Sequence, residues 1–272
     1  YYLYFAHHQG HFIRMAFADN IEGPYTVYEP GVLSLENIPF GNHVASPDVQ
    51  VDHQHRKICM HYHGLCRYEN PFGGKQATAY AESADGIDFV SDNQYLAPPY
   101  LRTFFMAGWY YGFTGGAARR LYRSPDMRTP FEEGPVLEIE GETFQSQFSS
   151  DGTRVLNKNI YRMRHVCFQR MENAVKLYYS NVKDEPERIK CTRIALTGDW
   201  TQWRGQQYEE ILRPETEWEG AHIPLEPSTG GCHPEPVHQL RDPYIFQENG
   251  DVFLFYAVAG EFGIGVAKLS SR

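Results

Sequence analysis

No apolar run in this sequence approaches the roughly 20 residues that a membrane-spanning helix needs. The best of them, Val252–Ala259, has the length of one strand. Basic charge is also scarce: 25 Lys and Arg stand against 34 Asp and Glu, a net charge of −9. That balance excludes the cationic surface expected of a nucleic-acid or anionic-membrane binder. There is no CxxC pair and no HExxH, and the five cysteines (Cys59, Cys66, Cys167, Cys191 and Cys232) lack metal-ligand spacing. An odd cysteine count without paired spacing reads as reduced thiols of a cytoplasmic protein. Helical periodicity is scarce along the whole chain. What is abundant is aromatic residues, at 15 %, with 19 Tyr among them, which suit half-buried strands and ring-stacking surfaces.

The chain repeats itself. An aromatic-rich strand pattern recurs at Tyr1–Ala6, Ile58–His63, Trp109–Thr114, Val175–Ser180 and Val252–Ala257. Each is followed by a second: Ile13–Ala18, Ala77–Glu82, Arg119–Arg123, Ile189–Ile194 and Ile264–Lys268. Related turns come next, ADNIEGPY, SADGIDF, SPDMRTPF and TGDWTQW, built from Asp caps, Pro-fixed φ and Gly at positive φ. Short strands at even spacing predict an all-β fold, and about five repeats of some four strands predict a five-bladed β-propeller. A β-sandwich is the alternative, but it does not predict the repeat. The expected blades are 1–40, 41–99, 100–150, 155–215 and 238–272 of one domain spanning 1–272.

Inner strands are expected ahead of these pairs. Asp48, His165 and Asp242 each lie ten residues before Ile58, Val175 and Val252, and Arg102 occupies the same place in a shorter hairpin. The four therefore read as one repeat position ringing the mouth of a central channel. Tyr1 already belongs to the second type of strand, so the first blade lacks an inner strand. The natural chain is expected to extend upstream, or this blade to close unusually.

The layout resembles the five-bladed propeller glycosidases, which include arabinanases, β-xylosidases, invertase-like enzymes and neoagaro-oligosaccharide hydrolases. The resemblance rests on SPDV (46–49), RDPYIF (241–246) and the pairs YYLYF…IRMAFAD and FLFYAVAGEFGIGVAKL. FAHHQGHFIRMAFAD, HVASPDVQVD and DEPERI further liken the chain to an uncharacterised branch. The resemblance implies a base, a modulating Asp and a Glu acid around the funnel. Asp48 and Asp242 match Asp-bearing inner-strand positions. Arabinanase-like members carry their base on the first inner strand, Asp on blade three and Glu on blade four, where this chain has Arg102 and His165.

Inverting glycoside hydrolysis uses two carboxyl groups about 6.5–9.5 Å apart, and Asp48 and Asp242 are expected to face one another across the funnel. Each has a structural alternative: a turn cap for Asp48, a pairing with Arg241 for Asp242. Glu219, in a Pro/Gly-rich connection, is the expected acid, with Trp218 stacking on a sugar face. Glu261 is a weaker choice, and His165 is an alternative acid. His43, His63, Arg102, His165 and Arg241 are expected to bind sugar hydroxyls. The histidines His7, His8, His11, His61 and His63 invite a zinc hypothesis, but no compact ligand signature supports it, so no metal or cofactor is expected. DEPER (184–188) reads as a solvated hairpin. The function expected is an inverting exo-glycosidase acting on an oligosaccharide, without nucleic-acid or membrane partners. A phosphorylase, with Arg102, Arg164 and Arg241 forming a phosphate subsite, and a non-catalytic sugar-binding propeller are the alternatives. The oligomeric state is left open.

Overall fold

The computed structural model describes residues 1–115, 119–145 and 160–270. Among them the regular structure is all strand, apart from single 3₁₀ turns at Leu35–Asn37, Trp200–Gln202 and Glu217–Glu219. No helix among these residues is long and apolar enough to cross a membrane. The expected boundaries at 150, 155 and 272 lie outside the described residues.

Five sheets follow one another along the chain, the blades of a five-bladed β-propeller. The first contains β1 (Tyr2–Ala6), β2 (Phe12–Phe17) and β3 (Thr26–Ser34). The second contains β4 (Phe40–Asp52), β5 (Lys57–Cys66), β6 (Gln76–Ser83) and β7 (Val90–Ala97). The third contains β8 (Leu101–Met106), β9 (Trp109–Thr114), β10 (Arg120–Ser124) and β11 (Glu132–Val136). The fourth holds β12 (Arg162–Arg170), β13 (Ala174–Val182), β14 (Ile189–Ala195) and β15 (Glu209–Leu212). The fifth holds β16 (Arg241–Glu248), β17 (Asp251–Val258) and β18 (Gly263–Leu269). Every strand pair read from the repeat is present, and the first sheet has three strands among the described residues.

By their internal contacts the strands gather into two compact units, Tyr1–Thr114 with Tyr122–Glu133, and Gly115–Leu121 with Gly134–Arg272. The first unit buries Ile13, Met15, Phe40, Val44, Met60 and Tyr62 between its sheets. The second buries Cys167, Tyr178, Ile189, Leu240, Ile245 and Leu254. Each such side chain contributes about 1.5–3 kcal/mol on burial. The five cysteines are free thiols.

Close packing at the start of β4 makes a glycine obligatory. A Cβ on Gly64 would lie 2.4 Å from the His43 carbonyl oxygen and 2.6 Å from Phe40 Cγ. Gly64→Ala is therefore expected to cost about 1–3 kcal/mol in a urea melt. An unchanged midpoint would show that β4 and β5 can separate freely.

Candidate active site

The ladders correct the expected alignment of the inner strands. In three blades the register breaks near the entry: between Ala45 and Asp48 (after an earlier break between Phe40 and Val44), between Met163 and Val166, and between Arg241 and Tyr244. In each, two residues oppose one, which is a β-bulge. The bulged pairs are Ser46–Pro47, Arg164–His165 and Asp242–Pro243. Ser46 and Asp242 both take positive φ, +50° and +52°. Asp242 thus corresponds to Ser46, while Asp48 corresponds to Val166 and Tyr244. Arg102, two residues past Tyr100 (φ +68°), does match Asp48. His165 in turn corresponds to Pro47 and Pro243, so the expected single ring of four polar residues is three different positions. Hairpin length is one cause: two residues separate the last pair of β16 and β17, four separate that of β4 and β5.

In the first unit the consequence for Asp48 is plain. It is 5 % exposed, and its Oδ2 accepts the Thr103 main-chain N–H at 3.1 Å. Gln50, on the same face of β4, donates to Thr103 Oγ1 at 2.6 Å and to its carbonyl at 3.0 Å. Together these side chains clip β4 to β8, a fold role. Arg102 donates to the Ser46 carbonyl at 3.0 Å, steadying the bulge. His61 is fully buried, with Nε2 at 2.9 Å from the Met127 carbonyl. A carbonyl only accepts, so Nε2 carries the proton, and burial lowers the ring's pKa. His63 is also buried and packs against Tyr100. Half-buried His43 meets it edge to face, and burial, then neighbouring His8, lower the His43 pKa.

The second unit gathers the charged groups. His165 Nδ1 hydrogen-bonds Asp242 Oδ1, joining the bulges of β12 and β16, and these side chains are 23 % and 32 % exposed. Burial pushes the Asp242 pKa up, but His165, Arg164 and Arg241 outweigh it and hold the carboxyl far below the usual range. Asp242 is therefore an anion at any ordinary pH. A carboxylate accepts, so His165 carries a proton on Nδ1 and presents Nε2 away from Asp242.

Behind this pair the arginines are committed. Arg164 forms a fork with Glu187, Nε to Oε1 at 2.7 Å and Nη2 to Oε2 at 3.0 Å. Arg164 also donates to the Thr229 and Gly231 carbonyls. Arg241, wholly buried, donates to Glu261 at 3.0 Å, to Gln239 and to the Gly231 carbonyl, with Nε 3.4 Å from Glu187. Arg241 is thus a scaffold group here rather than an exposed sugar ligand, and neither guanidinium offers a free fork to phosphate. DEPER is not solvated: Glu187 is 0 % and Asp184 7 % exposed. Alternation of Glu187, Ile189 and Cys191 into β14 was the available signal for its burial.

Glu219 caps the Glu217–Glu219 turn. Its Oε2 accepts from the Glu215 and Thr216 amides and the Thr216 hydroxyl, and its Oε1 from the Tyr256 hydroxyl. Burial raises its pKa, but these donors prevail and lower it, the opposite of what a general acid needs. Glu219→Ala is expected to lower the melting temperature by an amount equal to about 1 kcal/mol. The cap also fixes Trp218, which is 56 % exposed over Gly265. The Glu219 carbonyl accepts from the Ala259 amide, and Glu261 nearby reaches Arg241. Trp218 therefore stands at the Asp242 end of the fifth blade. Among the described residues no group of three or more His, Cys, Asp or Glu is placed to hold a metal ion.

No protein-family model matches the chain. It is 33 % identical over 281 residues to uncharacterized protein R118 of Acanthamoeba polyphaga mimivirus, covering 99 % of this chain and 76 % of that protein. Solved structures share its fold at lower identity. A β-xylosidase/α-arabinofuranosidase of glycoside hydrolase family 43 from a compost microbial metagenome, in complex with xylotriose, aligns at TM-score 0.62 and 15 % identity, over 98 % of this chain and 82 % of that one. A family 43 enzyme from Xanthomonas citri, complexed with xylose, gives 0.63 and 15 % over 100 % and 84 %. A mutant α-L-arabinanase of Cellvibrio cellulosa gives 0.61 and 12 % over 100 % and 87 %.

Proposed function

We propose that this chain, which belongs to the same family as the mimivirus protein R118, is a carbohydrate-active hydrolase of glycosidic bonds. One observation carries the reading: a partly exposed, hydrogen-bonded His165–Asp242 pair sits on the inner strands of a propeller fold shared with glycoside hydrolases. In this reading the imidazolium form of His165, its Nδ1 proton retained by Asp242, gives its Nε2 proton to the leaving oxygen, and Asp242 holds the ring and stabilises the charge that develops on the sugar. Trp218 offers an apolar face for a sugar ring. Asp48 and Glu219 are buried and committed to the fold, so neither supplies a nucleophile. Direct attack by water on the anomeric carbon, with the bond to the leaving oxygen breaking and the water's proton passing to solvent, inverts the anomeric centre and is the form these residues fit. The exo mode, an oligosaccharide substrate and a cytoplasmic location complete the proposal.

The test is a screen of aryl-glycosides and plant and algal oligosaccharides, with and without phosphate. Turnover independent of phosphate is expected, because Arg164 and Arg241 are already occupied. Proton NMR of the first-formed anomer reads the stereochemistry, and release of monosaccharide reads the exo mode. A non-catalytic sugar-binding role is the second reading, favoured by the fold duties of Asp48 and Glu219. It predicts binding to an oligosaccharide array with no turnover of any compound in the screen.

A further inference from the structure

We infer that Glu187 is a positioning residue for the His165–Asp242 pair, an inference that rests on the reading just given. Glu187 is 0 % exposed and accepts from Arg164 at 2.7 and 3.0 Å and from the Ser180 hydroxyl at 2.7 Å. Its Oε2 also lies 3.4 Å from Arg241 Nε. Its main-chain carbonyl accepts the Leu240 amide at 2.9 Å, immediately before β16. One residue thus grips both strands that carry the pair. It grips them where they need it. Arg164 and His165 form the β12 bulge, and Arg241 is the last paired residue before the Asp242–Pro243 bulge. A bulge lacks ladder bonds, so something other than the sheet must fix the direction of His165 and Asp242.

Electrostatic competition gives Glu187 a second part. Asp242 has three cationic neighbours, His165, Arg164 and Arg241. A bidentate guanidinium–carboxylate pair is stronger than a single bond to imidazole. With Glu187 absent, the two buried guanidiniums would draw Asp242 toward themselves and away from His165. With Glu187 present they are occupied, and Asp242 is left to the imidazole. Glu261 accepts from Arg241, whereas the two-point fork on Arg164 is made by Glu187.

The experiment is Glu187→Gln, read first without any substrate. In wild-type protein the His165 Nδ1 proton should give a downfield resonance, assigned by its loss in His165→Gln. Folded Glu187→Gln is expected to shift that resonance upfield or broaden it away, while circular dichroism stays native. An unchanged His165 signal in the folded variant overturns the inference. Should Glu187→Gln fail to fold, Arg164→Lys removes the fork while keeping the charge, and the same signal decides in the same way. Where a substrate is found, Glu187→Gln should lower kcat by about 10²-fold through misplacement of the pair, with KM little altered. Absence of turnover in wild type with a normal His165 response would overturn the hydrolase reading alone.

Discussion

Asp242→Asn is expected to lower turnover by about 10²–10⁴-fold, the range for removing an acid–base partner, in a protein that still folds. The side chain keeps its shape, and the amide oxygen can still accept from His165 Nδ1. What disappears is the negative charge that holds an imidazolium and opposes charge developing on the substrate. His165→Gln should lose turnover to a similar degree, and the double variant should be scarcely worse than either, because the two act as a unit. A second readout tests the same assignment through stability. The Asp242 pKa is depressed in the folded protein, so its contribution is fully present above the unfolded Asp value near 4 and lost as pH falls below it. The gap in melting temperature between wild type and Asp242→Asn should therefore be largest near neutrality and shrink toward pH 3. A gap that is flat across this window would mean that Asp242 is not held as a stabilised anion. Turnover equal to wild type in both single variants would remove the pair from the mechanism.

The strand pairs were legible because they rest on local chemistry. Alternation in VFLFYA and ICMHYH, with Asp, Pro and Gly turns between repeats, is present in any window of ten residues. The inner-strand position was not legible in the same way. Counting ten residues back from each second strand assumes equal hairpins, yet Asn249–Gly250 closes in two residues what residues 53–56 close in four. The difference of two residues carries Asp242 back past the position of Asp48 and into the bulge. That is why Asp48 turned out to be a clip to Thr103 while Asp242 lies in a bulge. Glu187 escaped for a different reason. Its partners Arg164 and Arg241 are remote in sequence, and a charge run with no visible partner reads as solvated. Glu219 carried a readable local sign, since Thr216-Glu217-Trp218-Glu219 fits the capping-box pattern. The pairing of His165 with Asp242, 77 residues apart, needed the fold itself.

Lys190→Met is expected to be the most destabilising single substitution among the described residues of the second unit. Lys190 is 1 % exposed, and its Nζ lies 3.1 Å from Glu142 and 3.0 Å from Asp184. Glu142, itself 1 % exposed, also accepts from Tyr179 and Asn181 at 2.9 Å and from Tyr161. Removing the ammonium leaves two buried carboxylates facing one another, a loss of about 3–5 kcal/mol for a broken buried pair. In chains of this size that corresponds to a fall on the order of 10 °C in melting temperature. Burial already raises the Asp184 pKa, against the pull of Lys190 and Arg188. A carboxyl whose folded pKa is raised favours the folded state while protonated and disfavours it once pH rises through that value. Without Lys190 the Asp184 carboxyl should bind its proton more tightly still. The deficit of Lys190→Met should therefore grow from pH 5 to pH 8. Adding Glu142→Gln to Lys190→Met should recover part of the loss, since it removes one of the stranded charges, whereas Glu142→Gln alone should destabilise. A melting temperature for Lys190→Met within about 2 °C of wild type, less than 1 kcal/mol by the same scale, would mean that water reaches this cluster. The three-residue charge network would then be ordinary surface chemistry.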